Sequence, residues 1–311
     1  MRLLARLSKA FAARYDNDIN TKSLEEFMSA VPSPPQSGSL SQHDADSFAE
    51  RGYHFPTRVL SAGVALRYRQ LLEAFETSQG GPLSGQLRNK PHLLFTWIDE
   101  LVRHPIILDA IESLLGPNLL VWSSSFFTKE ANDPAFVSWH QDSTYWGLSA
   151  PDVVTAWVGF TDSNISNGCM QVMPGTHLRD QLPHQDTFAE NNLLTRGQEV
   201  AVEVNPNDAV DVILQAGEMS LHHVRLVHGS PPNPSADRRI GYAIRYVPTH
   251  VYQTAGGRDS AMLVRGIDTY KHFDPEPRPQ TDFGGNERAV HAKATDDAVR
   301  ILYRGTDKAA P

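Results

Sequence analysis

The spacing of apolar residues changes near residue 119. Before this point it has a helical period, as in the segment where Val64, Leu71, Leu72 and Phe75 fall broadly on one side. Capping residues support these helices, because Ser41 and Ser61 stand at predicted starts and Gly52 and Gly116 at predicted stops. The sequence predicts helices over 42–51, from 62 to about 75, over 93–102 and over 105–115.

Beyond residue 119, short runs rich in β-branched and aromatic residues alternate with turn residues. They predict strands over 119–129, 153–160, 168–173, 199–204, 210–214, 218–223 and 240–246, and 53–56 adds a short strand earlier in the chain. Helices followed by many short strands favour a mainly β fold with helices. We expect a double-stranded β-helix (jelly-roll, cupin-like) core buttressed by N-terminal α-helices.

Segment 30–40 is rich in Ser, Pro and Gly and predicts a linker. We therefore expect an N-terminal helical leader and linker over 1–40 and one domain over 41–311, with the jelly-roll core from about 119 to 250. The first fourteen residues carry four cations and no acid, which fits either a transit peptide or a surface helix. Asp16 and Asp18 follow at once, and this favours a packed or fraying helix.

Composition narrows the range of functions. The 311 residues are 40% hydrophobic and 21% charged, which is enough apolar material for a large core. A net charge of -8 argues against nucleic acid as a partner, since phosphate binding needs clustered cations. The one cysteine, Cys169, excludes an intramolecular disulfide and a cysteine-rich zinc site, and favours a cytoplasmic location. No apolar run reaches the 18 or so residues of a membrane span.

Candidate chemistry centres on Trp139-His140-Gln141-Asp142. On an extended segment, His140 and Asp142 project to the same face. One imidazole and one carboxylate are two of the three ligands in the 2-His-1-carboxylate site of non-haem Fe(II) oxygenases. A second histidine is then required. His228 is the best candidate, and His222 and His223 compete with it.

Several motifs occur in a consistent order between about 44 and about 253. They are Trp139-His140-Gln141-Asp142, Val154-Thr-Ala-Trp-Val158, Asn167-Gly-Cys-Met170, Pro174-Gly-Thr-His177, His228-Gly-Ser230 and Arg239-Ile-Gly241. Together they resemble the phytanoyl-CoA dioxygenase family of Fe(II)/2-oxoglutarate oxygenases. The segment from Val154 is also similar to the syringomycin-type halogenases. Those enzymes carry alanine or glycine where this chain has Asp142, so hydroxylation is the expected outcome here.

The resemblance implies Fe(II) held by His140, Asp142 and His228, with 2-oxoglutarate and O2 as cosubstrates. It assigns Arg239 and Ser230 to the far carboxylate of 2-oxoglutarate, which suits the planar guanidinium of an arginine. Trp157, Thr155 and Ser125 are further candidates for the cosubstrate pocket. No catalytic residue beyond the metal ligands is expected.

The implied reaction is hydroxylation of an unactivated C–H bond in a small molecule, free or tethered to a carrier or to CoA, with release of succinate and CO2. The alternatives are desaturation, cyclisation, epimerisation or halogenation by the same oxidant, or a non-catalytic jelly-roll binding protein.

Overall fold

A computed structural model describes residues 38–194, 196–202, 204–257 and 259–304. The predicted leader helix and most of the predicted linker lie outside this part of the chain. Within it, the helices are α1 (Gln42–Arg51), α2 (Ala62–Gln79), α3 (Thr96–Val102), α4 (Pro105–Leu115) and α5 (Gly285–Leu302). None of these helices combines the length and apolar character needed to cross a membrane.

The strands form two facing sheets and a small hairpin. They are β1 (Tyr53–Arg58), β2 (Leu119–Lys129), β3 (Val137–His140), β4 (Val154–Gly159), β5 (Gln171–Val172), β6 (His184–Asp186), β7 (Gln198–Val200), β8 (Val210–Asp211), β9 (Glu218–His223), β10 (His228–Ser230), β11 (Arg239–Pro248), β12 (Ser260–Arg265) and β13 (Asp274–Pro275). The larger sheet has the order β1-β9-β4-β11-β2-β12-β13, and the smaller has the order β3-β10-β5-β8. The remaining pair is β6-β7. The predicted fold class, a jelly roll buttressed by helices, is confirmed.

The predicted caps explain where the first two helices begin and end. The Ser41 hydroxyl accepts from the Asp44 amide at 3.1 Å, and Gly52 ends α1 with φ +85°. The Ser61 hydroxyl likewise accepts from the Val64 amide at 3.3 Å. Helix α2 continues to Gln79, past the predicted end near Phe75. Its last turn is polar, so the apolar spacing did not reveal it.

The structure differs from the predicted elements in two further places. Helix α3 begins at Thr96, because the Asp282 carboxylate accepts from both the Thr96 amide at 2.8 Å and its hydroxyl at 2.6 Å. Strand β12 and helix α5 were not predicted. Helix α5 is mostly polar and alanine-rich, so its sequence lacks a broad apolar stripe.

The period of two along the central strands separates the core from the site. Alternate residues of β11, such as Tyr242 and Tyr246, pack with Leu72, Ile98 and Ile107 of the helices. The residues between them, including Ala243, face the smaller sheet. Polar residues on this second face of β4, β9 and β11 therefore lie in the space between the two sheets.

Candidate active site

His140, Asp142 and His228 lie together between the sheets. Strands β3 and β10 are antiparallel, and their register sets His140 directly opposite His228. Asp142 begins the 3-10 turn after β3, but Gln141 is extended, so His140 and Asp142 remain on one side. Among the described residues, these three form the one group of candidate metal ligands, with ligand atoms all within 4.8 Å of one another.

Backbone carbonyls determine which nitrogen of each histidine is free. His140 Nδ1 lies 2.9 Å from the Ser138 carbonyl and 3.1 Å from that of His228. His228 Nδ1 lies 2.9 Å from the Leu226 carbonyl. Because a carbonyl only accepts, both Nδ1 atoms must carry the proton and donate. Both Nε2 atoms therefore keep a lone pair for a metal ion.

The charge states also suit a metal ion. Burial acts to raise the pKa of Asp142, but contacts with His140 and His222 and the charge of Arg245 lower it well below its usual value. Burial lowers the pKa of His228 well below its usual value, and the neighbouring histidines lower it further. An ionised carboxylate and a neutral imidazole are the forms that bind a divalent cation.

The two competing histidines face opposite sides of β9. His222 is buried, and its Nε2 lies 3.8 Å from Asp142 Oδ2. His223 instead has its ring 5.2 Å from that of His177 and accepts from the Arg225 amide at 3.0 Å. His222 is therefore a neighbour of the metal-ligand group, whereas His223 belongs to the packing against α1.

A cavity of about 40 Å³ adjoins the three ligands. The candidate site residues that line it are His140, Asp142, His222, His228, Thr155, Trp157 and Ser230. Thr155 Oγ1 and His222 Nδ1 are buried beside it and have no hydrogen-bond partner among the described residues. The cavity thus presents unused polar groups next to the candidate metal site.

Arg239 lies behind Trp157 and does not line this cavity. Its guanidinium carbon is 5.6 Å from the centre of the Trp157 ring, and its Nη1 donates to the Gly168 carbonyl. Burial lowers the pKa of Arg239 to about 10. Glycine is required at 241, because a Cβ there would lie 1.8 Å from the Trp157 ring. Trp157 therefore packs directly over the strand that carries Arg239.

Lys129 is a site residue that the sequence analysis missed. It pairs with Arg239 across β2 and β11, and its Nζ donates to Ser230 Oγ at 2.7 Å and to the Pro231 carbonyl. Burial, and then the charge of Arg239, lower the pKa of Lys129 to about 6. The sequence did offer one indication of its role, because Lys129 is the only charged residue of the predicted strand over 119–129.

A tight turn at Gly168 brings a carbonyl to Arg239 and Lys129. Gly168 has φ +70°, and a Cβ there would lie 2.3 Å from the Pro232 carbonyl oxygen, so only glycine fits. Its carbonyl accepts from Arg239 and, at 3.5 Å, from Lys129. The turn thereby holds both side chains at one carbonyl, and Lys129 reaches Ser230 from there.

Ser125 does not line the cavity beside the three candidate ligands. Its hydroxyl donates to Asn89 Oδ1 at 3.0 Å and accepts from Arg245 Nη1 at 2.9 Å. It lines a second cavity of about 530 Å³, which Asp142 and Arg245 also line. The structure therefore does not bring Ser125 together with Arg239 and Ser230.

Comparisons with known proteins agree with this geometry. A family model described as phytanoyl-CoA dioxygenase matches residues 50–241. A probable alpha-ketoglutarate-dependent hypophosphite dioxygenase from Stutzerimonas stutzeri is 33% identical, over 58% of this chain and 64% of that protein. An L-proline trans-4-hydroxylase from Streptomyces griseoviridis is 35% identical, over 47% of this chain and 61% of that protein. The chain thus spans just under two thirds of the length of these curated relatives.

A solved structure described as the non-heme monooxygenase ThoJ in its apo form is similar over more of the chain. It is 36% identical, covers 84% of this chain and 97% of that chain, and superposes with a TM-score of 0.75. The family model alone covers more than half of the 311 residues. This protein therefore belongs to the phytanoyl-CoA dioxygenase family.

Proposed function

We propose that this protein is an Fe(II)- and 2-oxoglutarate-dependent dioxygenase that hydroxylates an unactivated C–H bond of a small molecule and releases succinate and CO2. One observation carries the proposal. Two buried histidines with their Nδ1 atoms tied to carbonyls, and one buried ionised carboxylate, have their ligand atoms within 4.8 Å of one another. This is the donor set of the 2-His-1-carboxylate Fe(II) oxygenases.

The comparisons support the same chemistry. The names of the two curated relatives describe an alpha-ketoglutarate-dependent dioxygenase and a hydroxylase, both acting on small substrates. The retained carboxylate of Asp142 favours hydroxylation over halogenation. The single cysteine, Cys169, is buried and unpaired, which supports a cytoplasmic location.

In this proposal His140, Asp142 and His228 hold the metal ion. When bound, Fe(II) together with 2-oxoglutarate and O2 supplies the oxidant for the C–H bond. The contribution of the protein is positional. The carbonyls of Ser138 and Leu226 orient the two imidazoles, and the buried setting keeps water away from the reacting atoms.

Arg239, Lys129 and Ser230 are the groups we assign to the far carboxylate of 2-oxoglutarate. Arg239 and Lys129 pair across β2 and β11 in the interior, and neither forms a salt bridge with a carboxylate among the described residues. A bound carboxylate would pair with the fork of Arg239 through two nitrogens, and its negative charge would favour the protonated form of Lys129. Trp157 and Thr155 form the adjoining wall of the cavity.

Anaerobic titration tests the proposal. Fe(II) added with 2-oxoglutarate should produce a weak visible charge-transfer band, and neither component alone should produce it. Exposure of the complex to O2 should then release succinate in amounts that depend on Fe(II). Intact protein that gives no band and no succinate would favour a jelly-roll binding protein instead.

A further inference from the structure

The larger cavity has the size and position of a substrate site. Its volume of about 530 Å³ falls in the range of small-molecule pockets, and Asp142 forms part of its wall. Trp122 and Trp146 also line it, with ring centres 4.9 Å apart. A molecule in this cavity would contact aromatic surface and reach the candidate metal ligands.

The charged groups in this wall differ in whether they have a hydrogen-bond or ion-pair partner. Lys90 lies 2.5 Å from Glu276, and Arg245 donates to Ser125 and is attracted to Asp142. Asp259 accepts from the Trp122 indole at 2.6 Å. Arg88 differs from these groups, because no acidic or hydrogen-bonding partner of its side chain occurs among the described residues.

Arg88 is partly buried although it lacks such a partner. Burial lowers the pKa of Arg88, and no neighbouring carboxylate opposes this effect. A guanidinium that has lost hydration without gaining an anion is destabilised relative to water. An anionic ligand in the cavity would relieve this cost and bind through two nitrogens.

The segment around Arg88 is held in place on both sides. Asn89 forms a bridge with Ser125 on β2, and its carbonyl accepts from His291 Nε2 at 2.7 Å. Gln86 accepts from the Thr295 hydroxyl at 2.9 Å. The two anchors on α5 and the one on β2 hold the backbone of Arg88 at the cavity wall, so the guanidinium does not depend on a loose loop.

We infer that Arg88 binds an acidic group of the substrate, a carboxylate or a phosphonate, and so directs the rest of the molecule along the aromatic wall toward Asp142. This inference rests on the proposed function and adds the substrate class to it. Arg88 would act as a specificity-determining residue, since a neutral analogue leaves its guanidinium without a partner.

Binding of matched probes tests the inference without requiring turnover. The probes are 4-phenylbutyrate, 3-phenylpropylphosphonate and the neutral 4-phenylbutyramide. Quenching of tryptophan fluorescence reports binding, because Trp122 and Trp146 line the cavity. Titrations are run on metal-free protein and again under anaerobic conditions with saturating Fe(II) and 2-oxoglutarate, so that the cosubstrate pocket is filled.

We expect the wild type to bind at least one acidic probe about tenfold or more tightly than the amide. Arg88→Gln should weaken the acidic probe to the level of the amide, and Arg88→Lys should retain part of the preference. Arg300→Gln is the matched control, since Arg300 is an exposed arginine on α5 that pairs with Asp297. It removes the same charge and should leave the preference unchanged.

Three outcomes would overturn the inference. The first is a wild type that shows no preference for acidic probes, and the second is an Arg88→Gln variant that keeps the preference. The third is an Arg88→Gln variant whose dissociation constant for 2-oxoglutarate rises as much as its dissociation constant for the acidic probe. Failure of the proposed function is distinguishable from these. It would appear as a missing charge-transfer band in the wild type, while the preference for acidic probes would persist in metal-free protein.

Discussion

Two buried polar regions of this protein differ in how completely the chain itself satisfies them. In the first, Glu276 lies 2.5 Å from Lys90 Nζ and 3.1 Å from His92 Nε2, and it accepts from the Ser260 hydroxyl at 2.8 Å. His92 Nδ1 lies 2.6 Å from the Ser124 hydroxyl. Each charged group of this cluster, which we call the Glu276 cluster, therefore has its partners within the fold.

The second region is the space between the two sheets. Several buried atoms there have no hydrogen-bond partner among the described residues, namely Thr155 Oγ1, His222 Nδ1, Arg239 Nε and Arg245 Nε. Buried polar groups in folded proteins are ordinarily paired, so each exception requires an explanation. From this contrast we expect the Glu276 cluster to serve stability and the proposed binding of ions and ligands to involve the region between the sheets.

The largest expected effect is on the metal site. His228→Ala removes one of the three ligands, so Fe(II)-dependent succinate formation should fall by well over about a hundredfold, more than for a group that only orients a ligand. The charge-transfer band should disappear, and the melting temperature should stay within a few degrees of wild type.

His223→Ala is the matched control for this change. His223 lies on the outer side of β9 beside His177, so activity should be largely retained. Equal loss in both variants would show that the effect comes from packing rather than from ligation. Retained activity in His228→Ala would mean that the wrong histidine was chosen.

Breaking the Glu276 cluster should instead affect stability. Glu276→Gln leaves the buried Lys90 without its counter-charge, and the free energy of unfolding should fall by about 3–5 kcal/mol. Denaturant unfolding measures this loss. Glu218→Gln is the control, because the carboxylate it removes pairs with the exposed Arg58. The free energy of unfolding should fall by less than about 1 kcal/mol in this variant. Equal losses in the two variants would contradict the distinction between the regions.

The same cluster predicts the acid dependence of stability. Burial acts to raise the pKa of Glu276, but the charge of Lys90 and the contact with His92 lower it from 4.5 to about 2. Because the folded-state pKa is the lower one, the contribution is fully present above about pH 4.5 and is lost as pH falls toward 2. Glu276→Gln should therefore lose less stability than wild type between these pH values.

Arg239→Ala tests the cosubstrate side of the second region. Loss of the guanidinium should weaken 2-oxoglutarate binding by about 2–5 kcal/mol, which is about 30-fold or more in the apparent KM. Iron affinity should change little, since Arg239 does not contact the metal ligands. A KM within about threefold of wild type would refute the assignment.

Arg238→Ala is a control at the residue immediately before β11. Arg238 pairs with Glu76 at 2.7 Å and with Glu130 at 2.7 Å. Burial acts to lower the pKa of Arg238, but these pairs raise it. Its removal should reduce stability and leave the KM for 2-oxoglutarate unchanged. The two adjacent arginines thus separate a binding role from a structural one.

The candidate metal-ligand group could be predicted from the sequence, partly from local geometry and partly from the family resemblance. His140 and Asp142 share a face through the period of two, and His228 followed from its motif. The choice between His222 and His223 needed the orientation of β9, which pairs His222 with Thr155. A shift of one residue in that register would exchange the two histidines.

The larger cavity was not accessible from the sequence. Its wall joins the segment of Arg88 to β2 through Asn89 and Ser125, and to α5 through His291. These contacts connect residues 36 and 202 positions apart. In the sequence, Arg88 and Lys90 are two nearby cations, and nothing shows which of them is paired. The tertiary structure pairs Lys90 with Glu276 and gives Arg88 no partner among the described residues.

The smallest expected effect concerns His222, whose Nε2 lies 3.8 Å from Asp142 Oδ2. At this distance the imidazole can steady the ligand carboxylate without binding the metal ion itself. His222→Phe keeps an aromatic ring in the wall and removes both nitrogens. Fe(II) affinity, measured anaerobically by competition with a chelator, should fall by about ten- to a hundredfold, the loss expected when a group that orients a ligand is removed.

His223→Phe, on the next residue of β9, makes the same chemical change on the opposite face and should leave Fe(II) affinity unchanged. A change of less than threefold in His222→Phe would reduce His222 to a packing role. A loss as large as that of His228→Ala would make His222 a ligand, and the assignment of three protein ligands would have to be revised. An intermediate loss, with the 2-oxoglutarate KM unchanged, would confine the role of His222 to the carboxylate of Asp142.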